Sequence, residues 1–206
     1  MYSHGVDTRE RLVESTRELL WERGYVGMSP KAIQERSGAG QGSMYHHFRG
    51  KQDLALIAIE RNAADLVDRA AAELDGPGTA IERVTRYMRR ERAALRGCPV
   101  GRLTMDPDVM ADPLLRRPVE EAFATVCVIL AQVLKTGLGN GEIESSVDPE
   151  ATAVALIAVL QGGYVLARAA GSADAYTRAV DGALGLLACA TDITNKGRYC
   201  RAVCSN

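Results

Sequence analysis

Two short helical segments on either side of the tripeptide Gly38-Ala39-Gly40 limit what the first quarter of this chain can fold into. Ser29-Pro30 supplies an N-cap followed by proline at the first helical position, opening a helix through Ala32, Ile33 and Ser37 that Gly38 ends. After the tripeptide comes GQGSMYHHFRGK. At 100° per residue Met44 and Phe48 share one face; opposite them lie Gly42 and His46, flanked by Ser43 and Tyr45. The apolar pair docks the second helix and the polar set faces outward, which makes a helix-turn-helix. Gly42 inside so short a helix costs about 1 kcal/mol relative to alanine, a sign that something must approach the backbone closely. Upstream, Asp7 with Glu10 reads as a capping box, and Leu12, Thr16, Leu19 and Leu20 follow at helical spacing until Gly24. A helix over residues 8–23 is predicted.

The remainder is helical as well. Leu54, Ile57 and Ala58 start a run to the break at 75–78; Ile81, Val84, Met88 and Leu95 carry the next helix to Gly97. Asp112-Pro113 and Asp148-Pro149 repeat the N-cap-plus-proline signature, the first opening a helix to Gly137, and Ser172 caps a last helix with Tyr176, Val180 and Leu184. No segment alternates apolar and polar residues long enough to be a strand, so the class is all-α. The helix after Pro149 contains ATAVALIAVL, apolar around its circumference, and is therefore buried on all sides by its own domain or by a partner subunit. With an amphipathic helix following it, an intersubunit four-helix bundle is expected, with Ile157 and Leu184 as positions to challenge it. This gives a helix-turn-helix domain over residues 1–52, a helical domain over 53–191, and a polar, aperiodic tail over 192–206.

Composition narrows the function. With 47% apolar and 25% charged residues the chain is globular. Its five cysteines (Cys98, Cys127, Cys189, Cys200, Cys204) show no paired spacing of a zinc or redox motif, which points to a reducing, cytoplasmic setting. The start lacks an apolar leader, and the run from Ala151 to Leu160 is about half a membrane span, so no membrane association is expected. Net charge is −1, but residues 1–52 hold eight Lys/Arg against six Asp/Glu, leaving 17 against 20 for the rest. A small nucleic-acid module on a larger neutral body fits this balance.

Three chemistries are open to the histidine pair: metal binding, catalysis or nucleic-acid reading. His46 and His47 diverge by 100° on a helix, and neither has a His or Cys at i+3 or i+4, which argues against a metal site. Cys98 beside Pro99 invites a nucleophile reading, yet no general base accompanies it in its own domain. Packing, pocket lining and redox sensing remain open for this thiol.

Residues 8–54 resemble the tetracycline-repressor (TetR) family of bacterial transcription regulators. The likeness rests on Gly24-Tyr25, Ser29, Ile33, Ser37-Gly38, Met44-Tyr45-His46-His47-Phe48 and Lys51-Gln52-Asp53-Leu54. GCPVG at 97–101 and GEIESSVDPEATA at 141–153 are similar to the subgroup typified by lincomycin-resistance regulators. The resemblance implies an N-terminal three-helix reading domain, a C-terminal domain that binds a small molecule and dimerises through the last two helices, and dimers on palindromic double-stranded operators. It places Gln41 and Ser43 at base edges and Tyr45, His47 and Lys51 at phosphates. The Gln41 amide can bond an adenine bidentately, and Ser43 is a smaller, less specific partner. Ser29 and the neighbouring backbone N–H groups can hold a phosphate, His46 a base or sugar, and Gly42 lets the duplex come close. Gly40 and Gln41 stand where the family often has Ser-Lys, shifting affinity toward Arg49 and Lys51.

Met88, Met105, Met110, Phe123, Cys127, Gln161 and Tyr164 are candidates to line an effector cavity, with core packing as the competing role. The reading is a dimeric, ligand-responsive repressor released by a small hydrophobic effector, with neither cofactor nor metal and no enzymatic activity. A helical ligand-binding or interaction protein without DNA binding is the alternative, and a small helical enzyme the third.

Overall fold

Capping side chains set the starts of most helices in the computed structural model, which describes residues 7–191 and, for side chains, residues 7–188. The 192–206 tail lies outside the described residues. Nine α-helices are present in the described chain: α1 (Thr8–Arg23), α2 (Pro30–Ser37), α3 (Gln41–His47), α4 (Lys51–Leu74), α5 (Ala80–Arg89), α6 (Pro107–Ala111), α7 (Pro113–Gly139), α8 (Pro149–Ala170) and α9 (Asp174–Thr191). A 3-10 turn, Gly101–Met105, precedes α6, and no strand occurs among the described residues. Ser29 Oγ accepts from Ala32 N at 3.2 Å, Asp148 Oδ1 from Ala151 N at 3.0 Å and Ser172 Oγ from Asp174 N at 3.1 Å.

The chain divides into two compact units. The first runs to Arg69 and takes in Arg96–Thr125; the second holds Ala70–Leu95 and the chain from Val126 on. In the first, Leu12, Val13, Leu19 and Leu20 of α1 are buried, as are Ile33, Met44, Phe48 and Leu54. In the second, Val84, Tyr87 and Met88 of α5, Leu130 and Leu134 of α7, Leu156 and Leu160 of α8 and Val180 of α9 are buried.

Several local expectations are corrected. Glu10 does not complete a capping box. Its carboxylate is bonded to Arg61 of α4, while Asp7 alone caps α1 through Arg9 N at 3.4 Å. The complete capping box is at α5, between Thr79 and Glu82. That helix stops at Arg89 rather than Gly97, because the Arg92 guanidinium turns back to bond the carbonyls of Tyr87 and Met88. Phe48 is the C-cap of α3, not part of it, yet is only 2% exposed. The unanticipated α6 begins at Asp106-Pro107, the same signature that opens α7 and α8. The ten-residue apolar run belongs to a 22-residue helix, so α8, like α7, is long and apolar enough to cross a membrane by length and composition alone.

Within one chain α8 is buried on one face only. Ala153, Leu156, Ile157, Leu160, Gly163 and Ala167 face inward, while Val154, Val165 and Leu166 are 57%, 67% and 54% exposed. Ile157 and Leu184, each 8% exposed, belong to the intrachain core.

Candidate nucleic-acid interface

The outward face of α3 follows from what the inward face does. Met44 is fully buried, so its neighbours on the opposite arc are left in solvent: Gln41, Gly42, Tyr45 and His46 are exposed, and Ser43 and His47 are half-buried. Tyr45 is 52% exposed, too open for a core aromatic. The His46 and His47 rings stand edge to face, 5.0 Å apart. A Cβ added to Gly42 would meet nothing within 4 Å, so nothing inside the described structure requires glycine there. Ser29 is exposed while serving as the cap of α2, leaving the α2 start open.

The cations of this unit fall into two groups. Arg17 bonds Glu14, Asn62 and Asp65; Arg36 forks onto Glu22; Arg61 is paired with Glu10 and lies 3.5 Å from Glu14. Arg9, Arg49 and Lys51 have no carboxylate within ion-pair distance among the described residues. Arg9 lies over the Phe48 ring at 5.5 Å, and the Lys51 ammonium lies 3.9 Å from the centre of the Tyr25 ring. Burial pushes the Lys51 pKa down, against the opposite pull of Asp108 and Asp106. Unpaired cations beside an exposed polar helix are suited to phosphates, whose charge they can neutralise. Sequence periodicity gave no reason to single out Arg9, because its placement depends on how α1 lies against Phe48.

The turn between α1 and α2 is fixed from a distance in sequence. Asp106 Oδ2 accepts from Tyr25 N at 2.7 Å and Val26 N at 3.0 Å, while Oδ1 caps α6 through Val109 N at 3.2 Å. Asp106 is 7% exposed. Gly24 makes the approach possible: its φ is +73°, and a Cβ there would stand 2.8 Å from Asp106 Oδ2. Gln52 at the start of α4 is bonded to Asp112. Residues 106–112 therefore hold the turn and the entry to α4. The Tyr25 hydroxyl has its pKa raised by burial and by Asp108, Asp112 and Asp106.

The effector candidates divide between the units. Met88, Cys127, Gln161 and Tyr164 belong to the second; Met88 is fully buried, and the other three are half-buried. Met105, Met110 and Phe123 belong to the first, where Met105 is 85% exposed and the other two half-buried. Burial pushes the Cys127 thiol pKa up, away from thiolate reactivity. Cys98 is 5% exposed and its Sγ accepts from Gly101 N at 3.2 Å, tying the loop into the 3-10 turn. Among the described residues no three His, Cys, Asp or Glu side chains gather as a metal site.

Comparison with known proteins agrees with this geometry. Residues 12–57 match the family model described as "Bacterial regulatory proteins, tetR family", and residues 78–183 match "Tetracyclin repressor-like, C-terminal domain". The HTH-type transcriptional repressor NemR of Escherichia coli K12 is 25% identical over 169 residues, 79% of this chain and 84% of NemR. The HTH-type transcriptional regulator LmrA of Bacillus subtilis is 26% identical over 167 residues, 78% of this chain and 86% of LmrA. The crystal structure of reduced E. coli NemR superposes with a TM-score of 0.76 at 26% identity, covering 86% of this chain and 95% of that one. A TetR regulator from Chloroflexus aurantiacus reaches 0.78 at 26% identity, covering 88% and 94%. These relatives are transcriptional regulators rather than enzymes. With an exposed reading helix on a three-helix head and family models matched in both parts of the chain, this protein belongs to the TetR family of DNA-binding transcriptional regulators.

Proposed function

We propose that this regulator is a repressor that binds a palindromic operator as a homodimer and is released by a small molecule held in its second unit. The observation that carries the DNA half is the outward face of α3. In this reading Gln41 and Ser43 read base edges, His46 a base or sugar, and Gly42 admits the duplex, which the exposure of Gln41, Gly42 and His46 and the open space at Gly42 support. Tyr45, His47, Lys51 and Ser29 take phosphates, joined by Arg9 and Arg49. The repressor sense is supported by NemR, whose name is that of a repressor.

Dimerisation is supported by the faces that α8 and α9 leave uncovered. Val165 and Leu166 of α8 and Leu186 of α9, 76% exposed, are apolar side chains in water in a single chain. Between the two helices runs an apolar groove of about 720 Å³ whose lining includes Leu166, Gly182 and Leu186. Cβ atoms added to Gly162, Gly182 or Gly185 would meet nothing within 4 Å, leaving room for a second copy's helices to lie close. A second copy of the same helix pair gives the four-helix bundle expected from the sequence and sets two reading helices on one palindrome. The test is fluorescence anisotropy with duplexes tiled across the DNA flanking the protein's own gene. One duplex bound at least about 10³-fold more tightly than random sequence supports the reading, and uniform weak binding to every duplex refutes it.

A further inference from the structure

The cation that opens α4 is held by an aromatic ring rather than by an acid. Lys51 is the first residue of that helix, where the helix dipole disfavours positive charge, and its side chain is half-buried. Charge taken out of water is ordinarily paired, yet no carboxylate lies within ion-pair distance of Lys51 among the described residues. Its ammonium lies instead 3.9 Å from the centre of the Tyr25 ring. Burial pushes the Lys51 pKa down, and Asp108 and Asp106 act on it the other way from beyond contact.

Ring and cation are both placed by the same stretch of chain. Asp106 Oδ2 accepts from Tyr25 N at 2.7 Å, and Gly24, at φ +73°, admits that carboxylate beside the turn. Asp112 bonds Gln52, the residue after Lys51. The ring is thus fixed through its own backbone, and the ammonium through the start of α4. The half-buried Tyr25 hydroxyl has its pKa raised by burial and by Asp108, Asp112 and Asp106, so the ring stays neutral at ordinary pH. A neutral ring face attracts an ammonium through its quadrupole and leaves the full charge in place. A carboxylate there would cancel the charge and compete with any incoming anion. The ring also leaves N–H donors of the ammonium free for other oxygens. Holding the flexible lysine stem in advance lowers the ordering entropy that a later contact must overcome.

We propose that Tyr25 is a positioning residue for DNA binding: its ring holds the Lys51 ammonium ready for a backbone phosphate without neutralising it. The inference rests on the reading that Lys51 takes a phosphate, and it adds a residue that acts through Lys51 rather than on the duplex. What is needed of Tyr25 is the ring face, not the hydroxyl. Tyr25→Phe keeps the face, whereas Tyr25→Leu keeps apolar bulk in the turn and loses the face. A ring that merely fills the turn would act independently of Lys51, and a double-mutant cycle separates the two roles.

The experiment uses the full chain and a fluorescein-labelled random-sequence duplex at low salt, where phosphate contacts dominate binding. Anisotropy titrations and thermal melts are run on the wild type, Tyr25→Leu, Tyr25→Phe, Lys51→Gln and the double variant that joins Tyr25→Leu to Lys51→Gln. Tyr25→Leu should weaken binding about 3-fold or more, and Tyr25→Phe less than about 1.5-fold. With Lys51→Gln already in place, adding Tyr25→Leu should cost less than about 1.5-fold, because the ring has no cation left to hold. Should Tyr25→Leu fail to fold, Tyr25→Met repeats the cycle, and failure of both to fold overturns the proposal. Undiminished affinity in Tyr25→Leu, the same loss from it in both backgrounds, or a loss from Tyr25→Phe as large as from Tyr25→Leu overturns it as well. Lys51→Gln separates this from the reading beneath it. If that variant binds as tightly as the wild type, the phosphate role of Lys51 falls and the positioning role with it; if it binds more weakly while Tyr25→Leu does not, Lys51 keeps its role and only that of Tyr25 is lost.

Discussion

Removing the Asp106 carboxylate should loosen the turn that carries the family's Gly-Tyr pair. In Asp106→Ala, Tyr25 N and Val26 N lose bonds of 2.7 and 3.0 Å to a charged acceptor, and α6 loses its cap. Charge-assisted bonds contribute about 1.5–3 kcal/mol each and an N-cap about 1 kcal/mol. Because Val26 is 55% exposed, water can take over part of the loss at its amide. A net destabilisation of about 2–4 kcal/mol is expected, since the donors share one acceptor and their contributions do not add. Asp106→Asn should cost less, about 1–2 kcal/mol, because an amide oxygen can still serve two donors while its NH2 opposes the third. Urea unfolding gives the total, and amide hydrogen exchange locates it: Tyr25 and Val26 should lose protection ahead of the α1 core. Gly24→Ala is an independent probe, pushing a methyl toward the same oxygen from a positive φ. If Asp106→Ala shifts stability by less than about 0.5 kcal/mol with both amides still protected, the clip does not hold the turn.

Other expectations follow from the same geometry. Gly42→Ala should stabilise the ligand-free protein by about 0.5–1 kcal/mol yet weaken operator binding, and undiminished affinity would remove the close-approach role of this glycine. Arg9→Ala and Lys51→Ala should each lower the slope of log affinity against log salt by about 1 while leaving base preference intact, and an unchanged slope would show that the residue neutralises no phosphate. Leu186→Glu, at an exposed position, should yield a folded monomer in sedimentation that loses specific operator affinity, because two heads must meet grooves about 34 Å apart; a monomer with full affinity would refute the dimer. Finally, Arg61 lowers the Glu10 pKa below its ordinary 4.5, so that pair's contribution is present above the unfolded value and is lost as pH falls through the folded one. Arg61→Ala should flatten acid unfolding in that window, and titration curves of unchanged slope would exclude the linkage.

How far the sequence carries depends on the range of the forces involved. Helix starts at Ser29-Pro30 and Asp148-Pro149 were legible because cap and proline act within one turn. The outward arc of α3 was legible because Met44 fixes the wheel. Asp106-Pro107 carries an equally local signature, and α6 could have been found from it. What Asp106 does for the α1–α2 turn lay beyond reach, since its partners are 81 and 80 residues away and no local pattern marks them. The premature end of α5 has a similar cause: helical spacing continues to Leu95, but Arg92 competes for the carbonyls. Spacing alone points Glu10 to a cap, while Arg61, far along the chain, offers it a full opposite charge. Arg9 is not legible in the sequence because a lone cation in a charged helix has no periodic signature.

The ion pairs that bind α1 to α4 bear on how this regulator could be recombined with others. Arg17 reaches Asn62 and Asp65, and Glu10 reaches Arg61, so the head is fastened along α4 well past Lys51. A chimera joined at residue 52 would sever these links and strip the Gly24–Val26 turn of Asp106. The transplantable piece is the chain to about Arg69 together with Arg96–Thr125, two stretches that must travel as a pair. For anyone wiring this head to a foreign sensor, three junctions are required, after Arg69, before Arg96 and after Thr125.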